Sequence, residues 1–282
     1  MSALTFTLKI SPVQRVDCSP LTPEQLHGKS VAEIAALPLW SGKRQLRVDE
    51  VFDISRIGKD GGDDDSEDSN DDHIVFLNSS AHLDRIGQGM RSGRITVHGN
   101  AGDYLGLELR GGRLELHGNA GHFAACAMSA GMLHVHGNCG DYLGAGLVGE
   151  RKGMRGGTVL VTGNVGDRAG DQMRRGLMLI EGDAGDYCAS RMLAGTLGVL
   201  GKVGRYTGYG MRRGTLLLTQ TPVLHATMAD CGTHTLPFLN LMFKSLRGLP
   251  SRYAQLDQNR VRRYAGDIAN QGTGEILVLL PP

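Results

Sequence analysis

The chain has 282 residues, long enough to bury a sizeable core, yet 42 of them are glycine and only 5% are aromatic. This composition is typical of many tight turns around a thin aliphatic interior. The 30 basic and 29 acidic side chains are interspersed and nearly cancel, so no global field favours nucleic acid or a membrane as partner. The sequence has neither signal-peptide order nor a membrane-length apolar run, and we expect a cytoplasmic chain.

The first segment, residues 1–57, has the features of a small α/β unit. It begins with the strand-like LTFTLKI, continues with a helix-capping box at Ser30 to Glu33, and contains a second strand-like stretch, QLRVDEVFDIS. We predict that this segment is an N-terminal cap for the repeats that follow.

Residues 58–73 form an acidic segment, GKDGGDDDSEDSNDDH, in which eight of sixteen residues are Asp or Glu. A segment with this charge and no large apolar side chain is typical of a solvated, disordered loop. Calcium binding is the alternative, but the spacing of an EF-hand and its terminal Glu are absent.

Residues 74–220 consist of a repeat in which every copy opens on glycine. Successive openings are 19 residues apart, except for one step of 26 that accommodates seven extra residues around Ala145 to Arg151. Within a copy, apolar and polar residues alternate, as at Ile95 and Val97, which indicates a short strand buried on one face. A Gly-Asn or Gly-Asp pair then predicts a sharp corner with positive φ. The openings are Gly93, Gly112, Gly131, Gly157, Gly176, Gly195 and Gly214.

The same residue types recur at the same repeat positions. Long apolar residues three places before each opening predict one internal column, formed by Met90, Leu109, Met128, Met154, Met173, Met192 and Met211. A second column holds only Gly or Ala, where we expect no room for a side chain. An α-helical interpretation would cost about 1 kcal/mol for each glycine. We therefore predict a mainly β fold: a β-helix (β-solenoid) of about seven coils with small α/β caps at both ends.

The last segment, residues 221–282, contains one stretch with helical apolar periodicity, LPFLNLMFKSL from Leu236, and a strand-like ending, EILVLL. We predict a C-terminal cap with one helix, which closes the second end of the repeats, and an extended tail.

No converging set of catalytic, cofactor-binding or metal-binding residues is recognisable, and none is assigned. The five cysteines have no metal-site spacing, so we expect buried free thiols. A recurring Asp after each corner is interpreted as a cap for backbone N–H groups in turns, with paired acid–base catalysis as the alternative.

Two columns are candidate contacts for a partner or an anion. Five of the seven repeats carry an arginine two residues before the opening glycine: Arg91, Arg110, Arg155, Arg174 and Arg212. Such a row is either a solvated edge or a docking surface for a partner subunit or anionic ligand. His98, His117 and His136 share another repeat position and should stack on the outer face. The ladder is either solvated, covered by a partner, or bound to a metal.

The repeat, with its Gly-Asn corners, Asp-Tyr-x-Gly and Gly-Met-Arg-x-Gly, resembles the GXGXG β-helix domain that the C subunit of formylmethanofuran dehydrogenase shares with the C-terminal domain of glutamate synthase. Outside the repeat, three stretches resemble the C subunit family, particularly its version in methylotrophic bacteria: GMRRGTLLL from Gly210, ADCGTHTLPFLNLMF from Ala229, and RRYAGDIANQGTGEILV from Arg262. The acidic segment and the Gly201-Lys202 corner depart from the pattern.

The resemblance implies a non-catalytic scaffold, the C subunit of a formyltransferase/hydrolase complex in one-carbon metabolism. In that family, other subunits transfer a formyl group from tetrahydromethanopterin to a methanofuran-type carrier and release formate at a metal hydrolase centre. The expected partners are those hydrolase-like and formyltransferase subunits. The alternatives are the C subunit of a molybdenum or tungsten formylmethanofuran dehydrogenase, and a stand-alone anion-binding β-helix protein.

Overall fold

The computed structural model of the protein describes residues 3–57 and 73–281, and it is mainly β. The acidic segment lies outside these ranges except for its last residue, His73, which opens a strand. The strands of the described residues are β1 (Ala3–Leu8), β2 (Val16–Asp17), β3 (Pro38–Ser41), β4 (Arg44–Arg47), β5 (Phe52–Ile57), β6 (His73–Ser79), β7 (Leu83–Asp84), β8 (Arg94–Gly99), β9 (Arg110–His117), β10 (Ala130–Val135), β11 (Arg155–Val161), β12 (Arg175–Ile180), β13 (Thr196–Val199), β14 (Thr215–Leu218), β15 (Ala229–Thr235), β16 (Arg260–Gly266) and β17 (Gly274–Leu279). The helices are α1 (Pro23–Leu26), α2 (Val31–Ala35), α3 (Val48–Val51) and α4 (Phe238–Leu246), with 3-10 turns at Arg252–Gln255 and Ile268–Asn270.

A 13-stranded sheet dominates the structure. Its order is β15-β16-β17-β14-β13-β12-β11-β10-β9-β8-β6-β1-β5, and the neighbouring strands from β17 to β1 pair in parallel. Both edges are antiparallel, with β5 on β1 at one end and β15 and β16 at the other. A smaller sheet has the order β4-β3-β2-β7.

Adjacent central strands come from adjacent repeats and pair at equal repeat positions. Leu114 pairs with Leu133, and Leu133 pairs with Val159 across the longer step. A second series of parallel bridges connects the same repeats outside the strands, through Ala101, Ala120, Cys139, Val165, Ala184 and Val203. Each of these repeats therefore contacts the next at two points of its length.

The interior is filled as the periodicity predicts. The inward residues of the strands, such as Ile95 and Val97, are fully buried. The predicted internal column is buried at every position: Met90, Leu109, Met128, Met154, Met173, Met192 and Met211. Methionine is suited to this place because its flexible side chain fills irregular gaps between stacked repeats.

The Gly/Ala column lacks room for a larger side chain, as predicted. A Cβ at Gly144 would lie 2.4 Å from Cε of Met178, and one at Gly170 would lie 2.4 Å from Cδ1 of Leu197. Ala125 and Ala189 do carry a Cβ, but both are fully buried, with φ of 55° and 56°. Close packing and a left-handed backbone therefore both favour small residues in this column.

The Gly-Asn corners also differ from the prediction of positive φ. Gly99 has a φ of 115°, but Gly118 and the later corner glycines lie outside the left-handed region. A Cβ on Gly118 would lie 2.0 Å from the carbonyl oxygen of Gly99. Glycine is needed there because the backbone of the preceding repeat approaches too closely for a side chain.

The N-terminal segment contains the predicted capping box. The Ser30 hydroxyl accepts the N–H of Glu33, and the Glu33 carboxylate accepts the N–H of Ser30, at the start of α2. The predicted strand QLRVDEVFDIS is interrupted, since α3 separates β4 from β5. The acidic residues Asp49 and Glu50 lie in the first turn of α3, where they favour a helix N-terminus over a continuing strand.

The predicted C-terminal helix forms, but it packs on a face of the large sheet rather than over its end. Leu239 and Phe243 of α4 lie in one buried cluster with Leu160, Leu179 and Leu217, which point outward from β11, β12 and β14. The sheet itself continues past the repeats through β17, β16 and β15.

Four of the five cysteines are buried free thiols, as predicted, whereas Cys231 is exposed. Burial raises the pKa of the Cys139 and Cys188 thiols to about 12. Cys231 differs because it lies on β15, an edge strand with mostly exposed side chains. Within residues 3–57 and 73–281, no helix has both the length and the apolar character required to span a membrane.

Candidate functional site

The five predicted arginines are exposed at the start of the repeat strands or just before them. The N–H of Arg110 donates to Met90 O, and that of Arg212 donates to Met192 O, both at 2.8 Å. Arg155 and Arg174 form the same bond, so four of the five arginines are held at one corner by the preceding repeat. The N–H of Arg91 instead donates to the carboxylate of Glu24. The guanidinium of Arg110 forms an ion pair with Glu108 at 3.2 Å, while Ser129 and Leu193 occupy the two positions without arginine.

The three predicted histidines form a ladder on the outer face of β8, β9 and the residue after β10. The ring centroids of His98 and His117 are 4.9 Å apart, and those of His117 and His136 are 4.4 Å apart, with nearly parallel planes. All three side chains are exposed. Burial and the neighbouring charge of His136 lower the pKa of His117, which limits repulsion between stacked rings.

Glu115, two residues before His117 on the same face of β9, contacts this ladder. Its Oε1 lies 3.0 Å from Nε2 of His136 and 3.9 Å from Nε2 of His117, while its Oε2 lies 3.8 Å from Nε of Arg113. Partial burial acts to raise the pKa of Glu115, but the hydrogen bond with His136 and the charge of Arg113 lower it overall. The carboxylate is therefore ionised at neutral pH.

His134 lies beneath the ladder and is 2% exposed. Its ring centroid is 3.9 Å from that of His136. Burial, with a smaller contribution from the charge of His136, lowers the pKa of His134 to about 4, so the imidazole is neutral at neutral pH. Nε2 of His134 lies 3.5 Å from the Thr162 hydroxyl, and its Nδ1 has no hydrogen-bond partner among the described residues.

Among the described residues, one group of three side chains could hold a metal ion. A nitrogen of His134, a nitrogen of His136 and a carboxylate oxygen of Glu115 all lie within 4.8 Å of one another. His136 was predicted from the sequence as a contact residue, whereas Glu115 and His134 were missed. The signal was present, because Glu115 and His134 are 19 residues apart and therefore share a repeat position, and His134 is two residues from His136 on the same face.

The outer face of the sheet is divided between this polar cluster and the C-terminal segment. From β11 onward, α4 covers outward leucines such as Leu160 and Leu179. Glu181 accepts hydrogen bonds from the Ser251 hydroxyl and the N–H of Arg252, each at 2.7 Å. The histidine ladder therefore lies on the uncovered part of the face. It is also distinct from the arginine corner, because β9 begins with Arg110 and ends with His117.

The recurring Asp residues bridge repeats rather than capping their own turns. The Asp84 carboxylate accepts the N–H of Asp103 at 2.9 Å, and Asp103 accepts that of His122 at 2.8 Å. His122 takes the place of Asp in the third repeat, and its Nδ1 accepts the N–H of Asp141. The series continues through Asp167 and Asp186. These carboxylates are engaged by backbone donors, which supports a structural role over acid–base catalysis.

Comparisons of sequence agree on one family. The family described as GXGXG motif matches residues 76–230. The C subunit of the formyltransferase/hydrolase complex Fhc of Methylorubrum extorquens is 43% identical over 274 residues, covering 97% of this chain and 98% of that protein. The C subunit of tungsten-containing formylmethanofuran dehydrogenase 2 of Methanococcus maripaludis is 29% identical over 105 residues, covering 37% of this chain and 35% of that protein.

A solved structure matches the whole fold. It is a chain in the X-ray crystal structure of the formyltransferase/hydrolase complex (FhcABCD) from Methylorubrum extorquens in complex with methylofuran. The TM-score is 0.86 at 36% sequence identity, with 98% of this chain and 100% of that chain covered. The chain therefore belongs to the GXGXG-motif family of formyltransferase/hydrolase complex C subunits.

Proposed function

We propose that this chain is the non-catalytic scaffold subunit of a formyltransferase/hydrolase complex and assembles with its hydrolase-like and formyltransferase subunits. The observation that carries the proposal is the end-to-end similarity to a chain of the FhcABCD complex, with 98% and 100% of the two chains aligned. The alignment therefore extends over both flanks as well as the repeats.

Several groups that chemistry would need are already committed to the architecture. The repeated carboxylates accept backbone N–H groups, and the buried thiols are held protonated because burial raises the pKa of Cys126, Cys139 and Cys188 to about 12. We assign transfer and hydrolysis to partner subunits, which would hold the methanofuran-type carrier, tetrahydromethanopterin and a metal hydrolase centre.

For the scaffold itself, we propose a β-helix of about seven coils over residues 74–220. The support is the 19-residue spacing of in-register parallel strands, the second series of bridges and the column of buried methionines. Residues 1–57 and 221–282 would be caps, since they supply the antiparallel edge strands and α4. The free thiols fit a cytoplasmic location.

The proposed contact surfaces are the arginine corner and the exposed histidine ladder, because both lie outside the region covered by α4. Arginines fixed at one corner and stacked imidazoles offer charged and flat polar groups, which protein interfaces use at their cores and rims.

The test is native affinity purification of the tagged full chain, followed by mass spectrometry and metal analysis. We expect hydrolase-like and formyltransferase subunits and no molybdenum or tungsten. Recovery of the chain alone would contradict the proposal. Replacement of Arg155 and Arg174 by Ala should reduce partner recovery, whereas Arg205→Ala, at an exposed position outside the corner, should not.

A second candidate, the C subunit of a molybdenum or tungsten formylmethanofuran dehydrogenase, is favoured only by the shared repeat. That similarity covers 37% of the chain, whereas the formyltransferase/hydrolase relative covers 97%. Co-purification with a molybdenum or tungsten subunit would select the second candidate.

A further inference from the structure

A small cluster on the outer face of β9 and β10 combines one carboxylate with two imidazoles. Nε2 of His136 lies 3.0 Å from Oε1 of Glu115, and a ring nitrogen of His134 lies within 4.8 Å of both. One carboxylate and two histidines form a donor set that binds zinc in proteins. The fold of the repeat creates this set, because Glu115 and His134 occupy paired positions on neighbouring parallel strands.

His134 is the residue that packing alone does not explain. It is 2% exposed and lies in a row where later repeats place the apolar residues Leu160 and Leu179. Its Nδ1 is buried without a hydrogen-bond partner among the described residues. A buried polar atom without a partner is destabilising. A bound cation is one way to satisfy such an atom, whereas a leucine would fill the space without that cost.

The carboxylate of Glu115 directs one oxygen at the histidines. Its Oε1 lies 3.0 Å from Nε2 of His136, whereas Arg113 lies toward the other oxygen, Oε2, at 3.8 Å. Oε1 is therefore free of the guanidinium and available to a cation shared with the two imidazoles.

The distances allow binding with small side-chain movements. Ligand atoms around a tetrahedral zinc ion are about 3.4 Å apart, given metal–ligand distances near 2.0–2.1 Å. Oε1 of Glu115 and Nε2 of His136 are already 3.0 Å apart. The nitrogen of His134 lies within 4.8 Å of both atoms, so it needs to move closer by about 1.4 Å at most to reach the spacing of about 3.4 Å. The side chain of His136 is 36% exposed, which leaves an entry path and a solvent-facing fourth position.

We propose that Glu115, His134 and His136 bind a divalent cation of the zinc class with three protein ligands and one open position. The site is additional to the scaffold function proposed above and does not depend on it. It lies on the uncovered half of the outer sheet face, beside His117, whose Nε2 is 3.9 Å from the shared carboxylate oxygen.

The test is titration of the chelator-treated full chain with Co²⁺ and Zn²⁺, with stoichiometry measured by calorimetry and geometry by the visible spectrum of Co²⁺. We expect one ion per chain and a tetrahedral Co²⁺ spectrum. Glu115→Gln, which keeps the shape of the side chain, and His136→Ala should each weaken binding at least about tenfold. His98→Ala, at the far end of the same ladder, is the matched control and should bind as the unmodified chain does.

Two outcomes would overturn the proposal. The first is no saturable Co²⁺ or Zn²⁺ binding by the folded chain. The second is equal weakening by His98→Ala and His136→Ala, which would place the ion on the ladder instead of at Glu115 and His134. Circular dichroism of Glu115→Gln and His136→Ala must match that of the unmodified chain, and Glu115→Gln provides the decision if His136→Ala is misfolded.

Discussion

The N–H of Asn164 donates to the side-chain oxygen of Asn138 at 2.8 Å, although the two residues are 26 positions apart. The preceding step of the same ladder, from Asn138 to Asn119, has the same length over only 19 positions. The seven extra residues of the longer step are therefore excluded from the stack of repeats.

The hydrogen bonds around the insertion locate it. Ala145 remains buried in a cluster with Leu107 and Cys126, and the N–H of Met154 donates to Gly144 O as that of Met173 does to Gly170 O. The extra residues are thus 146–152, slightly later than the predicted position around Ala145 to Arg151, and Val148 at their tip is 95% exposed.

Deletion of residues 146–152 should lower the free energy of unfolding by no more than about 2 kcal/mol, because residues 148–152 are exposed and the main packing lost is that of the half-buried Leu147. Urea unfolding of the full chain measures this. The control is Ala145→Asp, which places a charge in a buried position next to the loop and should cost about 3 kcal/mol or more. A large loss on deletion would mean that the loop supports the repeats.

Asn138→Ala should destabilise the chain by about 1–2 kcal/mol, because the N–H of Asn164 loses its acceptor. Asn138→Asp is the matched control, since Asp183 already performs the same role toward the N–H of Lys202. We expect the aspartate variant to retain most of the stability in urea unfolding. Equal losses in both variants would contradict a role for the side-chain acceptor.

Gly118→Ala should be severely destabilising, by about 3 kcal/mol or more, because the new Cβ meets the Gly99 carbonyl oxygen at 2.0 Å. Gly248→Ala is the control, at a position with no neighbouring atom within 4 Å. Thermal unfolding of the two variants separates steric contact from a general effect of replacing glycine. Similar melting temperatures would refute the close approach.

Asp267 connects the C-terminal strands to the last repeat through a set of donors. Its carboxylate accepts the N–H groups of Gly210 and Ala269 and the side-chain amide of Asn270, at 3.0–3.1 Å. Burial acts to raise the pKa of Asp267, but these hydrogen bonds and one from the Thr227 hydroxyl lower it overall.

A carboxyl group whose pKa is lower in the folded state than in the unfolded state stabilises the fold fully at pH values above its unfolded pKa of about 3.9. This stabilisation is lost as the pH falls through the pKa of the folded state. Asp267→Asn should therefore be less stable than the unmodified chain at pH 7, with a difference that shrinks on acidification toward pH 2. Urea unfolding at both pH values measures the difference, and the exposed Asp257→Asn is the control. A difference independent of pH would show that the ionised form has no special role.

The sequence predicts the central repeats well because each repeat has the same kind of neighbour on both sides. A residue type that fits one position of a repeat then also fits the same position of the next repeat. Met90 and Met211 are both buried because each lies between repeats of the same shape. The flanks lack this repetition. The stretch around Asp49 and Glu50 alternates like a strand, but local helix-capping interactions decide its conformation.

The candidate site is predictable only in part, because its residues do not share one repeat position. His98, His117 and His136 form a column that the spacing predicts, and the structure stacks them. Glu115 and His134 belong to the adjacent column, in which later repeats place Leu160, Leu179 and Leu217. They lie near His136 because β9 and β10 pair at their position and because His134 and His136 share one face of the sheet. The burial of His134 depends on the packing of its neighbours, which periodicity does not predict.

The antiparallel strands at both edges of the large sheet limit its length. Because β5 and β15 end the pairing, the separation between the two flanks is set by the number of repeats between them. Each added or lost copy of 19 residues would change that separation by about 4.8 Å while leaving both ends intact.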